Sequence, residues 1–239
     1  MKIYCATFTC ARDAERAAYH ARHLPEDWEH VWIIESRDAD ACAHAAPPGT
    51  EILVREFDRG ASLRGNSAVE GMAAVFREFA ERREADLVIK LDSDTEIFRP
   101  EAFTEPARAA GVDFTYVRRL SVEGRLLANG CCYAMSRRAV LRLREFSTEK
   151  HARPNFAGHE DLIFSAFFTV AQKDLTLCQI DKTRWSWSEA PRIAADTYGA
   201  HNGYLSPAAD FALCEQIRAL RAAYSPLPSP SPNTNTANE

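Results

Sequence analysis

The sequence of 239 residues contains no apolar run that approaches the ~20 residues of a membrane-spanning helix. Its first residues lead directly into a strand-like pattern, without the charged and apolar regions of a secretory signal peptide. No internal repeat is visible. We therefore expect a cytoplasmic protein, and 46% hydrophobic with 26% charged residues is typical of a globular chain with a sizeable core.

Cysteine is present, but its arrangement indicates neither a metal cluster nor a disulfide framework. The seven cysteines are odd in number, scattered along the chain and without metal-ligand spacing. The adjacent pair Cys131 and Cys132 is a poor disulfide candidate. We interpret all seven as reduced residues, several of them small core residues, as in a cytoplasmic protein.

The formal net charge of −5 argues against a general nucleic-acid binder. The charge is unevenly distributed, however, because one acidic residue, Glu123, lies within residues 118–144 together with a cluster of arginines. This cluster indicates either a surface that attracts an anionic acceptor or a solvated basic face. Its seven members are Arg118, Arg119, Arg125, Arg137, Arg138, Arg142 and Arg144.

Short apolar segments alternate with helical patterns, which predicts an α/β fold with a parallel sheet. The clearest helix begins at a capping box, Ser67 to Glu70, and carries an apolar stripe at Val69, Met72, Ala73, Phe76, Phe79 and Ala80. Residues 225–239 are rich in Ser, Pro, Asn and Thr, so we expect a disordered tail after one domain at 1–224. Strands are predicted at 2–10, 30–36, 51–57, 87–92, 114–118, 126–135 and 175–180. Other helices are predicted at 12–24, 137–146, 158–170 and 207–224, with a short one starting at Pro100. A polar turn is predicted at 37–40, followed by a loop with Pro47-Pro48-Gly49, and a further loop at 198–204.

The segment at 87–94, Leu-Val-Ile-Lys-Leu-Asp-Ser-Asp, lies at the centre of this pattern. Its apolar part predicts a strand buried on both faces. Side chains two apart on a strand point the same way, so Asp92 and Asp94 can face one point beyond the sheet. Magnesium and manganese prefer such oxygen ligands together with phosphates. The segment predicts a metal–diphosphate site at a strand's carboxyl end, or alternatively an acidic turn in which Asp94 caps local backbone.

Further polar segments occur at the ends of predicted elements. Arg64-Gly65-Asn66 opens the helix before the central strand, and Ile33-Ile34-Glu35-Ser36 ends the second strand. Gly158-His159-Glu160-Asp161 opens a later apolar helix, and His201 lies in a late loop. Together with Asp92-Ser93-Asp94, and in this order, these segments resemble the nucleotide-diphospho-sugar glycosyltransferases of the GT-A fold, of the GT2-like kind. The resemblance covers most of residues 2–204 and implies a three-layer α/β/α sandwich with a mostly parallel central sheet.

The resemblance also implies an activity, namely transfer of a hexosyl group from a nucleotide diphosphate, with a UDP-sugar expected, to a hydroxyl acceptor. The acceptor would be a glycan, a lipid-linked molecule or a small molecule. Mn²⁺ or Mg²⁺ would be held by Asp94, Asp92 and His201, with Asp94 the first choice for direct ligation, whereas Asp92 could instead hold the ribose or a metal-bound water. Asp161 would be the base of an inverting reaction, with Glu160 beside it. Nucleotide-sugar contacts are expected at Thr7, Phe8, Glu35, Arg64, Asn66 and Ser93, and acceptor contacts at Asn129, Gly130, Glu160 and Trp185.

Several of these assignments have a structural alternative. His201 could be a loop histidine bonded to backbone, Arg64 a surface arginine, and Asn66 a helix cap. Glu160 and Asp161 could be acidic merely because the helix dipole favours negative charge in a first turn. Trp185 could stack on a sugar or lie in the core.

Other functions are compatible with the same fold. A non-catalytic nucleotide-sugar-binding module would keep the site without turnover, and a glycosyltransferase acting on modified DNA bases would use the arginine cluster. A sugar-phosphate nucleotidyltransferase usually carries a glycine-rich loop after the first strand, whereas residues 7–12 contain no glycine.

Overall fold

The computed structural model describes residues 1–56, 67–122, 125–147, 163–164, 166–168, 172 and 174–224, and every structural statement below concerns these residues. Within them lie ten β-strands. They are β1 (Ile3–Phe8), β2 (Glu29–Ile34), β3 (Glu51–Val54), β4 (Leu87–Asp92), β5 (Thr95–Ile97), β6 (Phe114–Val122), β7 (Arg125–Ser136), β8 (Leu177–Ile180), β9 (Trp185–Trp187) and β10 (Gly199–His201).

Seven of these strands form the main sheet, in the order β3-β2-β1-β4-β7-β6-β8. The first four are parallel neighbours, β7 runs antiparallel to β4 and β6, and β8 is parallel to β6. Six strands therefore share one direction, which confirms the predicted mostly parallel sheet. The carboxyl ends of β1, β2 and β4 meet at one edge, where open α/β sheets bind ligands.

Helices cover both faces of this sheet. On one face α3 and α5 pack with Phe164, Phe167 and Phe168 against β1, β4 and β7, and on the other α1, α2 and α4 pack against β2 and β4. The architecture is the predicted three-layer α/β/α sandwich. The helices described are α1 (Ala14–Ala21), α2 (Ala39–Ala45), α3 (Ser67–Arg82), α4 (Glu101–Ala110), α5 (Arg137–Arg142) and α6 (Pro207–Ala223).

Local sequence signals account for the well-predicted helices. All six residues of the apolar stripe on α3 are buried. The Ser136 hydroxyl accepts a hydrogen bond from the Ala139 amide at the start of α5, and Ser206 does the same for Ala209 at the start of α6. Such caps satisfy amides that have no partner within the helix. No helix in the described part of the chain is both long and apolar enough to cross a bilayer.

A second, three-stranded sheet in the order β5-β10-β9 was not predicted. Residues 198–204 were predicted as a loop, but part of them forms β10, which pairs with β5 and β9. Three-residue strands are too short to show a period in the sequence. The predicted turn at 37–40 and the loop after it were also wrong in part, because α2 occupies Ala39–Ala45. This small sheet matters because it carries His201 to the edge of the main sheet.

Candidate functional site

The strand ends converge at the edge of the main sheet. Phe8, the last residue of β1, is in register with Asp92 on one side and with Ile33 on the other. Ser93 and Asp94 form a tight turn from β4 into β5. His201, the last residue of β10, is in register with Thr95, the residue after Asp94. The fold thus brings two distant segments of the chain to one point.

Asp92, Asp94 and His201 form a cluster that can hold a metal ion. Each offers a ligand atom, and these atoms lie within 4.8 Å of one another. His201 Nδ1 is 3.1 Å from Asp94 Oδ1 and 3.3 Å from the Thr95 hydroxyl oxygen. The imidazole is therefore beside the paired aspartates, as the predicted metal site requires.

The cluster fits a divalent cation on its own chemistry. Asp94 Oδ1 is buried, with the His201 imidazole 3.1 Å away as its neighbour. Buried carboxylates are unfavourable unless they are paired, and a cation among these three side chains would pair them. Two carboxylates with one imidazole suit Mn²⁺ and are compatible with Mg²⁺, and three protein ligands leave positions for phosphate oxygens.

The imidazole and the carboxylate shift each other's protonation. Burial alone would raise the pKa of Asp94, but the contact with His201 lowers it below its ordinary value. Burial alone would lower the pKa of His201, but Asp94 raises it. A cation bound here would have to displace the proton from His201, so its affinity would increase with pH.

The two residues that follow His201, Asn202 and Gly203, contact Asp94. Neither was predicted from the sequence as a site residue. The Asn202 amide donates to the Asp94 carbonyl at 3.0 Å. A β-carbon at Gly203 would lie 2.6 Å from Asp94 Oδ2. Position 203 therefore has no space for a side chain while the carboxylate keeps its place. A glycine at a close approach of this kind has no signal in a single sequence.

Lys90 is a further residue that sequence reasoning missed. It lies on β4 two residues before Asp92 and is 1% exposed. Its ammonium is 2.5 Å from Asp92 Oδ1, donates to the Gly130 carbonyl on β7, and lies 5.7 Å from the centroid of the Tyr133 ring. A lysine buried this deeply is rare unless paired. The sequence does carry a signal for this residue, because Lys90 is a charged side chain within an otherwise apolar strand segment.

A buried ionic network lies behind the small sheet. His20 on α1 is bonded through Nδ1 to Glu96 on β5 at 2.6 Å and through Nε2 to Asp210 on α6 at 3.1 Å. Arg218 is 2.7 Å from Glu96, and Arg16 is 3.3 Å from Asp210. Burial alone would lower the pKa of His20, but the two carboxylates raise it to about 9.

His20, Glu96 and Cys214 have the spacing of a second metal cluster. Both imidazole nitrogens are already bonded to carboxylates, however, and the nearby arginines add positive charge. Burial also raises the pKa of the Cys214 thiol far above its ordinary value, which disfavours the thiolate that a metal would bind. We therefore assign this network to holding α1, β5 and α6 together, not to metal binding.

The residues predicted to contact the nucleotide sugar lie at or near the strand ends. Thr7 and Phe8 are buried on opposite faces of β1, and Phe8 packs edge-on against Phe76. Glu35 follows β2 and is buried, with Arg37 at 2.5 Å from its carboxylate. Ser93 lies in the turn between the two aspartates. Arg64 and Asn66 lie outside the described residues.

The predicted acceptor side is described in part. Gly130 is buried in β7, where its carbonyl accepts from Lys90. Trp185 is 1% exposed and packs edge-on against Phe103, so its ring belongs to the core and offers no face to an acceptor. The side chain of Asn129 and both Glu160 and Asp161 lie outside the described residues, as does the tail at 225–239.

The arginine cluster is largely neutralised where it is described. Arg138 is paired with Asp113 at 3.1 Å and with Asp174 at 2.9 Å. Arg142 is 2.5 Å from Asp174, and Arg144 is 2.8 Å from Glu81. These pairs favour the alternative of a solvated basic face over an anion-binding surface.

Comparison with known proteins supports the fold. No family model matches the sequence. No curated protein matches it either. The crystal structure of a glycosyltransferase involved in the glycosylation of the major capsid of PBCV-1 is similar to 93% of this chain and to 100% of that protein's chain. The TM-score is 0.51 and the identity 10%, so the likeness is one of fold. The chain has a GT-A-like glycosyltransferase fold, as the sequence predicted.

Proposed function

We propose that the protein is a metal-dependent glycosyltransferase that moves a hexosyl group from a nucleotide diphosphate, in our proposal a UDP-sugar, to a hydroxyl acceptor. The observation that carries this proposal is the convergence of Asp92, Asp94 and His201 at the ligand-binding edge of a GT-A-like sheet. The expected acceptor is a glycan, a lipid-linked molecule or a small molecule in the cytoplasm.

The chain's own residues supply most of the proposed mechanism. Asp94 and His201 would hold Mn²⁺ or Mg²⁺, with Asp92 beside them. When bound, the cation supplies positive charge that offsets the charge developing on the departing diphosphate. Asn202 holds the backbone of Asp94 through its carbonyl, and Gly203 leaves space for the Asp94 carboxylate, so the carboxylate is positioned before the cation binds.

The acceptor hydroxyl would be activated from the other side of the sugar. In the proposed inverting reaction Asp161 takes the proton of that hydroxyl while its oxygen bonds to the anomeric carbon and the bond to the diphosphate breaks. Glu160 would contact the sugar or the acceptor, because neighbouring helix residues point ~100° apart.

Binding of UDP with Mn²⁺ tests this proposal. We expect UDP together with Mn²⁺ to raise the Tm of the wild type, because a ligand that binds the folded state stabilises it. Asp94→Ala should abolish the increase, since it removes the buried carboxylate of the site. The matched control is Glu105→Ala, an exposed acidic residue on α4.

A panel of nucleotide sugars with Mn²⁺ extends the test to turnover. Release of UDP that depends on an acceptor would support the transferase, whereas binding without release across a broad acceptor panel would favour the non-catalytic module. If no nucleotide or nucleotide sugar changes the Tm of the wild type, the proposed function is wrong.

A further inference from the structure

Three arginines surround Tyr198, at the end of the small sheet opposite the candidate metal site. Tyr198 immediately precedes β10, whose last residue is His201. The Tyr198 carbonyl accepts hydrogen bonds from the Phe98 and Arg99 amides at 2.8 and 3.0 Å, which extends the pairing of β10 with β5. At about 3.3 Å per residue, Tyr198 lies about 10 Å along the strand from His201. This end of the small sheet is therefore separate from the metal site.

The arginines come from three parts of the chain. Arg99 lies shortly before α4, Arg184 immediately precedes β9, and Arg221 is in the last turn of α6. The guanidinium carbons of Arg99 and Arg184 are each 5.4 Å from the centroid of the Tyr198 ring. Arg184 Nη1 is also 3.4 Å from the Tyr198 hydroxyl oxygen. Arg221 Nη1 donates to the neighbouring Thr197 carbonyl at 3.4 Å. The fold thus gathers three guanidinium groups around one short segment.

Arg99 is a buried cation whose donors are poorly satisfied. The residue is 8% exposed, and its Nε makes no hydrogen bond within the described part of the chain. Its ion pair with Glu101 has 4.0 Å between Nε and Oε1, which is too long for a hydrogen bond. Burying a guanidinium is costly unless its N–H groups are bonded to an acceptor. A ligand that brings acceptor oxygens would offset this cost.

The positive charge around this segment is incompletely balanced. No carboxylate among the described residues lies within 4.0 Å of Arg184 or Arg221. Asp196, next to Thr197, is already paired with Arg192 at 2.6 Å. Burial lowers the pKa of Arg221, and the charge of Arg99 lowers it further. The two guanidinium groups therefore repel each other, and an anion bound beside them would relieve the repulsion.

We propose that Arg99, Arg184 and Arg221 form a phosphate-binding site separate from the metal site. A phosphate group has three acceptor oxygens and about two negative charges, which suits donors that approach from three elements. The planar fork of an arginine matches such oxygens. Arg184 and Arg221 are partly exposed, so an anion from solvent can reach them. The ligand is either free inorganic phosphate or a phosphorylated sugar, and the inference does not depend on the proposed glycosyltransferase activity.

The alternative is a structural role, in which the arginines only pack on the Tyr198 ring through cation–π contacts. The two possibilities differ in the effect of Arg99→Met on the Tm. A structural guanidinium stabilises the fold, so its removal lowers the Tm with or without phosphate. A phosphate-binding guanidinium is costly without its anion, and an apolar side chain of similar length removes that cost. We therefore expect Arg99→Met to be at least as stable as the wild type when no phosphate is present.

Isothermal titration calorimetry with inorganic phosphate measures the binding, at constant ionic strength and without divalent cations. We expect Arg99→Met and Arg221→Gln each to weaken phosphate binding about tenfold or more, since each removes charge-assisted hydrogen bonds. Arg221 is partly exposed, so Arg221→Gln spares the core and decides the result if Arg99→Met does not fold. The matched control is Arg108→Gln, at an exposed arginine of α4, which should bind phosphate as the wild type does.

A second titration distinguishes the two sources of the phosphate group. Glucose 6-phosphate that binds more tightly than inorganic phosphate, and is weakened by the same variants, would identify a phosphorylated sugar as the ligand. Equal or weaker binding of glucose 6-phosphate would identify the free anion.

Asp94→Ala separates this inference from the proposed function. It should lose the response to UDP with Mn²⁺ and keep phosphate binding, whereas loss of phosphate binding would place the phosphate at the metal site and overturn the inference. Phosphate that does not bind the wild type would also overturn it. Equal phosphate affinity in the wild type and the arginine variants would mean an adventitious ion only, with a structural role for the arginines. Neither of these last two results would affect the proposed function.

Discussion

Gly203 lies against the carboxylate of Asp94 with no room for a side chain. The contact is to the end of a flexible side chain, and the backbone of Gly203 is not in the left-handed region. An added methyl group would therefore push the Asp94 carboxylate aside without straining the loop itself. At the scale of one residue, this close approach determines where the proposed cation can sit.

We expect Gly203→Ala to weaken Mn²⁺ binding in the presence of UDP by about tenfold, which is about 1.4 kcal/mol. The Tm should change little, because Asp94 Oδ2 can rotate away from the new methyl group. Titration by electron paramagnetic resonance and a thermal melt on the same sample check both parts. Unchanged Mn²⁺ affinity would argue against Asp94 as a ligand.

The small sheet is the element on which the site depends. Its middle strand, β10, ends at His201 and packs at Gly199 against Trp185 and the backbone of β5. A β-carbon at Gly199 would lie 2.7 Å from the Glu96 carbonyl oxygen and 2.7 Å from Trp185 Cζ2. Neither the backbone of β5 nor a buried indole can move easily, so this glycine sets the spacing of the three strands.

Gly199→Ala should therefore destabilise the protein by about 1–3 kcal/mol, the usual cost of overpacking a core. Displacement of β10 should also move His201 from Asp94 and weaken Mn²⁺ binding. Urea unfolding and Mn²⁺ titration measure the two effects, with Gly203→Ala as a comparison that alters the site but spares the strand. Equal stability of Gly199→Ala and the wild type would contradict this packing.

At the scale of the whole molecule, the buried network joins distant parts of the chain. His20 from the first helix, Glu96 from the middle and Asp210 from the last helix meet behind the site. The network also supports the site itself, because the buried Asn202 side chain donates to Asp210 at 2.7 Å. The free energy of unfolding should depend on the charge of His20 for this reason.

His20 has a pKa of about 9 in the folded protein, against an ordinary value of 6.5. Because the folded pKa is the higher one, its stabilisation is fully present below pH 6.5 and is lost as the pH rises through about 9. The shift corresponds to about 3 kcal/mol. Urea unfolding between pH 6 and 10 should show this loss in the wild type but not in His20→Gln. Parallel curves for both proteins would show that His20 is not charged in the fold.

The site was predictable where its chemistry is local. Asp92 and Asp94 follow an apolar strand directly, and a carboxyl strand end with two carboxylates indicates a cation in any α/β protein. His201 was expected there through resemblance, since nothing near it in sequence shows a partner. Lys90, Asn202 and Gly203 were missed because their roles depend on contacts with residues far along the chain.

The sequence by itself determined the α/β class, the mostly parallel sheet and the helices α3, α5 and α6. Their signals are hydrophobic periodicity, helix caps and strand-end carboxylates, and each of these acts over a few residues. The β5-β10-β9 sheet, the placement of His201 beside Asp94, and the pairing of Lys90 with Asp92 were decided only by the tertiary structure. A three-residue strand is too short to show an alternation of apolar and polar residues. The partner of a buried charge lies far away in the sequence and becomes its neighbour only in the folded chain.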